Sequence, residues 1–257
     1  MRMMIAALAA AGMLTLVGCS APAEGDVEPS KKPSAETSAD ADPADPGWTA
    51  PEECSSLDLN VGATLAGSAL GECVAQSLVS FGSGRETVQT STNTSEVAFR
   101  YDPDFEMQGE TKTTDGSMRL TYVDGTMWVD DGSGPVKGDV DSDDMDEMLA
   151  GLTGEMIRIF ADPAMTADMV ARGAEWVVGE QVDVELGNGE TVRAFPIDVA
   201  APYTWNEMPV QEHVVWFAEG WVPVGGRGTV ATMGMTETTT QTYYDLGEPV
   251  EITPPVG

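Results

Sequence analysis

Positive charge is scarce in this chain. Twelve of its 257 residues are Lys or Arg, against 43 Asp and Glu, for a formal net charge of −31. A chain this acidic is repelled by nucleic acid and by anionic headgroups, so no nucleic-acid partner is expected. Any membrane attachment must come from something other than a basic patch. Histidine is rarer still: His213, beside Glu212, stands alone. A lone His-Glu pair reads as an exposed or internally satisfied histidine, not as a metal or general-base site. No G-x-S-x-G elbow, Walker loop or dinucleotide-binding G-x-G-x-x-G is present, so no enzyme activity and no cofactor are expected. Asp139, Asp141 and Asp143 have the alternate spacing that opens a calcium loop. The loop then fails: Asp144 stands where Gly is needed and Ala150 where Glu is needed. The cluster reads as the solvated, anion-rich start of a helix, and no metal is expected.

Long apolar runs are also missing. The longest, residues 3–17, falls short of the roughly 20 residues that span a bilayer as a helix. With Arg2 in front and small residues behind, it has the layout of a secretory signal. It ends in Leu16-Val17-Gly18-Cys19, which resembles the lipobox of bacterial lipoproteins. That resemblance implies a diacylglyceryl thioether on Cys19 and cleavage before it. Two acyl chains hold a protein stably at a membrane where one holds it marginally. The expected location is the cell membrane, lipid-anchored on the extracytoplasmic face.

Three cysteines look odd in an exported chain. With Cys19 given to lipid, Cys54 and Cys73 remain as an even pair in an oxidising compartment. A bridge between them would stabilise by roughly 3 kcal/mol on the chain-entropy picture; two free buried thiols are the alternative.

Three segments are expected: a signal peptide at 1–18, an acidic, Pro-rich tether at 19–50, and a folded domain at 51–257. The tether holds Pro22, Pro29, Pro33, Pro43 and Pro46 among Ser, Ala, Asp and Glu, a composition that cannot bury enough surface to fold. Some 30 such residues span roughly 30 Å. Trp48 marks where tether meets fold. In the domain, Leu65, Ala69, Leu70, Cys73, Val74, Leu78 and Phe81 fall at helical spacing. Gly67 and Gly71 weaken that helix by about 1 kcal/mol each.

From residue 85 to 137 the period changes to two. Val97, Phe99 and Tyr101, then Met118, Leu120 and Tyr122, then Met127 and Val129 alternate with polar neighbours. Asp115-Gly116 and Asp124-Gly125 supply hairpin turns, so an antiparallel meander of about four strands is expected. A helix follows over 139–160, with Met145, Met148, Leu149, Leu152, Met156, Ile159 and Phe160 as its apolar stripe. A second helix is capped by Asp162, opened by Pro163 and stopped by Gly173, with Met165, Met169 and Val170 inward. Residues 176–199 return to strands. Residues 200–212 read as a polar rim loop, 213–218 as a strand, Gly225-Gly226 as a turn, and the Thr-rich 229–244 as strands. Strand runs with segregated helices indicate an α+β fold, its antiparallel sheet covered on one face.

Several segments of the C-terminal half carry a resemblance. They are Glu175-Trp176-Val177-Val178-Gly179-Glu180, the hairpin over 182–199, Val215-Trp216-Phe217, and above all Tyr243-Tyr244-Asp245-Leu246-Gly247-Glu248-Pro249-Val250-Glu251-Ile252-Thr253-Pro254-Pro255. Together they resemble actinobacterial cell-surface lipoproteins of the LppX/LprG group, and more distantly the LolA/LolB lipoprotein carriers. The resemblance implies a half-open, curved antiparallel sheet wrapped over helices around an apolar cavity. It also implies binding or carriage of an acylated lipid or glycolipid, and it transfers no catalytic motif. The residues expected to line the cavity are Met145, Met148, Leu149, Leu152, Met156 and Ile159 on the helix, and Val97, Phe99, Met118 and Leu120 on the strands. A Met stripe at helical spacing equally suits a filled core. In that case the chain is an interaction or sensory module, docking a protein or cell-wall partner through an aromatic patch around Trp205, Trp216 and Trp221; on either reading a monomer is expected.

Overall fold

The structure is a computed structural model and describes residues 48–255 apart from 233–234. The expected signal, Cys19 and all but the last residues of the expected tether lie outside the described residues. Among those described, no helix is long and apolar enough to cross a membrane.

Period-two patterning builds the first half. Strands β2 (Ser83–Gln89), β3 (Asn93–Arg100), β4 (Glu106–Thr113), β5 (Gly116–Val123), β6 (Thr126–Asp130) and β7 (Val136–Lys137) pair antiparallel with their successors. This is longer than the four strands expected, because β2 has one large apolar residue, Val88, and β7 has two residues in all. Asp124 and Gly125 both adopt left-handed φ, 51° and 69°, as a two-residue hairpin turn requires. At the preceding turn Thr113 pairs with Gly116. The loop residues are therefore Thr114 and Asp115, one position earlier than the Asp-Gly reading.

Three helices follow their caps and packing. Before the meander, β1 (Thr64–Ala66) leads into α1 (Gly67–Phe81). After it, α2 (Met145–Phe160) begins at Asp144, whose carboxylate accepts from the backbone N–H of Asp146 at 2.9 Å and Glu147 at 3.4 Å. The acidic run thus caps a helix. Next, α3 (Pro163–Arg172) begins at Asp162, which accepts from the N–H of Ala164 at 2.9 Å, and ends at Gly173. Gly67 and Gly71 lie on the face of α1 against α3. A Cβ on Gly67 would strike the Gly173 carbonyl, and one on Gly71 the Ala167 carbonyl. The lost helix propensity is the cost of that close approach. Cys54 and Cys73, both fully buried, are joined in a disulfide that ties the segment before β1 to α1. Trp48 stacks on Phe81 with ring centroids 4.7 Å apart.

The second half supplies β8 (Glu175–Val178), β9 (Val182–Glu185), β10 (Thr191–Val199), β11 (Tyr203–Trp205), β12 (Met208–Ala218), β13 (Val222–Thr232) and β14 (Met235–Tyr244). Residues 200–212 are not a loop. Asn206 and Glu207 take left-handed φ and close a β11–β12 hairpin, and Trp205 is buried because it packs on Val210 and Val230. Nor do Gly225 and Gly226 turn the chain; they sit inside β13, paired with Thr242 and Gln241 of β14.

All described strands join one antiparallel sheet, in the order β1-β8-β10-β12-β13-β14-β2-β3-β4-β5-β6-β7, with β9 and β11 extending the edges of β10 and β12. The path does not close on itself, so the sheet is open. The decisive pairing is β14 with β2, which sets the last strand beside the first strand of the meander. The fold is α+β, as the sequence indicates.

Candidate functional site

The core comes in separate pieces. One cluster surrounds the disulfide and includes Leu70, Val170, Trp176 and Phe217. A second joins Phe99, Met107, Leu120 and Tyr122 to Ile157 of α2. A third centres on Trp205, Val210 and Val230, with Met165 and Met169 of α3 against it. Where these three stop short of one another lies a cavity of about 210 Å³. Its wall comes from seven neighbouring strands, β12, β13, β14, β2, β3, β4 and β5, with Tyr203 and Trp205 of β11 added beside β12. Laid flat at about 4.8 Å per strand they would extend roughly 29 Å. The sheet must therefore curl to enclose one cavity, as the right-handed twist of antiparallel strands allows. The helices contribute Val74 and Leu78 of α1, Met169 and Val170 of α3, and Ile157 of α2.

Glycine keeps the space open. Gly225, Gly226 and Gly228 of β13 line it; at the first two a Cβ would strike the Gln241 and Val214 carbonyl oxygens, and at Gly228 it would enter open space. A Cβ on Gly228 would have the His213 ring, 4.0 Å away, as its nearest neighbour. Interiors normally pack with few voids larger than a water molecule, so an opening of this size lined by methionine and aromatic side chains is the candidate site.

Polar groups on the lining are few and specific. On β2, Glu86 points the same way as Val88, into the cavity. Gln241 of β14 donates to its Oε2. Burial raises the Glu86 carboxyl from 4.5 to about 7, and the Gln241 bond offsets only part of this. Tyr101 and Tyr243 line the same stretch. Burial raises both phenols, and the Glu86 charge raises them further. Farther along, His213 shares a 2.7 Å hydrogen bond through Nδ1 with the Tyr203 hydroxyl and meets Trp176 edge-on at 5.0 Å. Burial pulls the His213 pKa down to about 4, so the ring is neutral and satisfied. Among the described residues, no group of three or more His, Cys, Asp and Glu side chains is placed to hold a metal ion.

No protein-family model and no curated protein sequence matches the chain. A solved structure does. The chain is similar to the Mycobacterium tuberculosis lipoprotein LppX. The identity is 10%, the match covers 72% of this chain and 98% of LppX, and the TM-score is 0.39. At that identity and score the likeness to LppX carries nothing about ligand or activity.

The residues expected at the cavity divide by element. Val97, Phe99 and Leu120 line it, while Met118 is buried beside them in the same cluster without reaching it. On α2, Met145, Leu149, Leu152 and Ile159 are exposed, 42–60% each, and Met148 and Met156 are half-buried. None of these six is on the lining. The packed face of α2 is Ala150, Thr153, Gly154 and Ile157, with Gly154 seated against Met127 and Gly151 against the backbone of Asp139 and Val140. Small residues let the helix lie close to the sheet, yet they add little to an apolar pattern. The large residues that dominate the pattern are turned outward. The expected tryptophan patch is not exposed as such: Trp205 and Trp221 are 3% and 8% accessible, held by Asp168 and Phe217 respectively, and Trp216 is half-buried.

Glu86, Gln241 and Tyr243 were not legible as site residues. The available signal was parity: Glu86 stands two residues before Val88, on the same side of a strand.

Proposed function

We propose that this chain is an extracytoplasmic lipoprotein that holds an acylated lipid or glycolipid in the cavity between its sheet and helices. The observation that supports this most directly is the unfilled space where three apolar clusters fail to meet, walled by Met107, Met165, Met169 and aromatic rings. Unbranched, polarisable methionine side chains adapt to varied apolar partners. The remaining parts of the reading come from the sequence: a signal at 1–18, two acyl chains on Cys19, a tether at 19–50 and a ligand-binding domain at 51–257. They give a domain held at the membrane by lipid, which suits a surface too acidic to bind anionic headgroups. The role is binding or carriage, without catalysis.

The test uses the full chain secreted with Cys19→Ala, so that no anchor acyl chain is present. Native mass spectrometry followed by solvent extraction is expected to show an amphiphile released on denaturation. A clean protein mass, unchanged after incubation with membranes of the producing cell, would overturn the reading.

One observation favours a second reading. The row Met145, Leu149, Leu152 and Ile159 presents apolar side chains to solvent on one helix, as an interaction module would. Loss of a captured partner on Leu149→Lys with Leu152→Lys, with lipid content unchanged, would support it.

A further inference from the structure

The cavity carries its unpaired hydroxyl and carboxyl groups in the middle, with mainly apolar wall to either side, where the Tyr203–His213 and Ser95–Thr111 pairs each hydrogen-bond internally. In the sheet order, Glu86 lies on β2, and Gln241 and Tyr243 lie on the adjoining β14. On one side the wall continues through Val210, Val215 and Phe217 of β12 to α3. On the other it continues through Val97, Met107 and Leu120 of β3 to β5, to Ile157. A ligand that filled this space would have apolar parts on both sides of whatever touches Glu86.

The groups in the middle lack partners. Gln241 bonds to one oxygen of Glu86, Oε2. Among the described residues, no hydrogen bond reaches its Oε1 or the hydroxyls of Tyr101 and Tyr243, and no Lys or Arg forms an ion pair with Glu86. None of these oxygens is sealed away from every space, since each residue keeps some accessible surface and lines the cavity. The Phe99 ring stands edge-on to Tyr101 at 5.6 Å and to Tyr243 at 6.3 Å, and Tyr243 is the direct cross-strand partner of Glu86. These oxygens face open cavity space with hydrogen-bonding capacity unused, so a bound molecule can complete them.

We propose that Glu86, with Gln241, Tyr101 and Tyr243, forms a subsite for a neutral hydroxyl lying between two apolar arms of the bound molecule. This deepens the cavity reading and rests on it. A hydroxyl donates one hydrogen bond and accepts others, so it can give its proton to Oε1 of Glu86 and receive from a tyrosine. Burial raises the carboxyl to about 7 and so favours its neutral form, which can donate as well as accept. An anionic group there would meet Glu86 without a compensating charge. The one basic residue on the described lining, Arg227, lies on β13 and acts on Asp198 instead. The ligand class is therefore a two-armed hydroxylated lipid, such as a mid-chain secondary alcohol or a glyceride with a free central hydroxyl.

The test is a matched pair of ligands, 7-tridecanol and tridecane, which differ by one central hydroxyl. Each competes with the neutral fluorophore N-phenyl-1-naphthylamine on the full chain carrying Cys19→Ala. The alcohol is expected to bind about tenfold more tightly than the alkane, and Glu86→Leu to bring the ratio close to one while alkane binding persists. Equal affinities in the unaltered cavity would overturn the subsite and leave the cavity reading standing. A preference that survives Glu86→Leu would overturn its assignment to Glu86. If neither ligand displaces the fluorophore, the cavity reading itself falls and this inference with it.

Discussion

Gln241 donates a hydrogen bond to Glu86 across the junction of β14 and β2, although the two residues are 155 positions apart in the chain. That contact joins the C-terminal strand to the start of the meander and sets the polar middle of the cavity. Everything proposed for the ligand depends on these two strands being neighbours.

The ionisation of Glu86 gives a first prediction. Its pKa is about 7 in the fold against 4.5 as a free side chain, mainly through burial and with Tyr101 and Tyr243 facing it. Between those values the folded protein holds a proton that the unfolded chain has released. Stability from this group is therefore fully present below about pH 4.5, falls as pH rises, and is gone above about pH 7. Glu86→Gln is expected to be more stable than the parent at pH 8, on the order of 2 kcal/mol after allowance for water in the cavity, and equal to it at pH 4. Urea unfolding at both pH values checks this; a difference independent of pH would refute it.

His213 acts with the opposite sign. Its folded pKa of about 4 lies below the ordinary 6.5, so the unfolded chain takes up a proton that the fold refuses. Its contribution is complete above about pH 6.5 and is lost as pH falls towards 4. In His213→Gln the loss of stability between pH 7 and pH 4 should shrink by roughly 2 kcal/mol relative to the parent, whatever the offset at pH 7. Parallel curves would show that the ring is not protected.

Gly228 offers a way to fill the cavity without disturbing its wall, because a Cβ there meets only the edge of His213 at 4.0 Å. Gly228→Leu is expected to lower co-purifying lipid at least tenfold while leaving the melting temperature unchanged or higher. Unaltered lipid content in a folded variant would place the ligand elsewhere.

Gly71 separates local preference from packing. Helix propensity alone makes Gly71→Ala stabilising by about 1 kcal/mol. The Ala167 carbonyl occupies the place of the new methyl, so the change should instead destabilise by about 2 kcal/mol in chemical denaturation. A gain in stability would mean that α1 and α3 do not pack as described.

The outward row on α2 is the mirror case. Leu149→Lys with Leu152→Lys should change stability by no more than about 0.5 kcal/mol, since both side chains are about half exposed. Ile157→Lys, on the buried face of the same helix, should cost more than about 3 kcal/mol. Equal effects would contradict the orientation of the helix.

What could be read directly from the chain was local in origin. Asp144 and Asp162 cap helices because a short carboxylate satisfies N–H groups two and three residues ahead. Asp124-Gly125 turns because both residues tolerate left-handed φ. Val97, Phe99, Met118, Leu120 and Tyr122 alternate, and they form one apolar face of a sheet. These effects act over a few residues, so the α+β character and the order of elements were open to inspection.

What only the tertiary structure decided depends on which surfaces meet. The packed side of α2 is its Gly and Ala seam, chosen by how closely two backbones can approach, a quantity that apolar periodicity does not measure. The hairpin at Trp205 reads as polar until Val210 and Val230 are brought under it. Glu86 is one acid among 43 in the sequence. It becomes a singular group because β14 pairs with β2 and the curled sheet encloses its carboxyl among aromatic rings. Burial, unlike spacing, is a property of the whole fold.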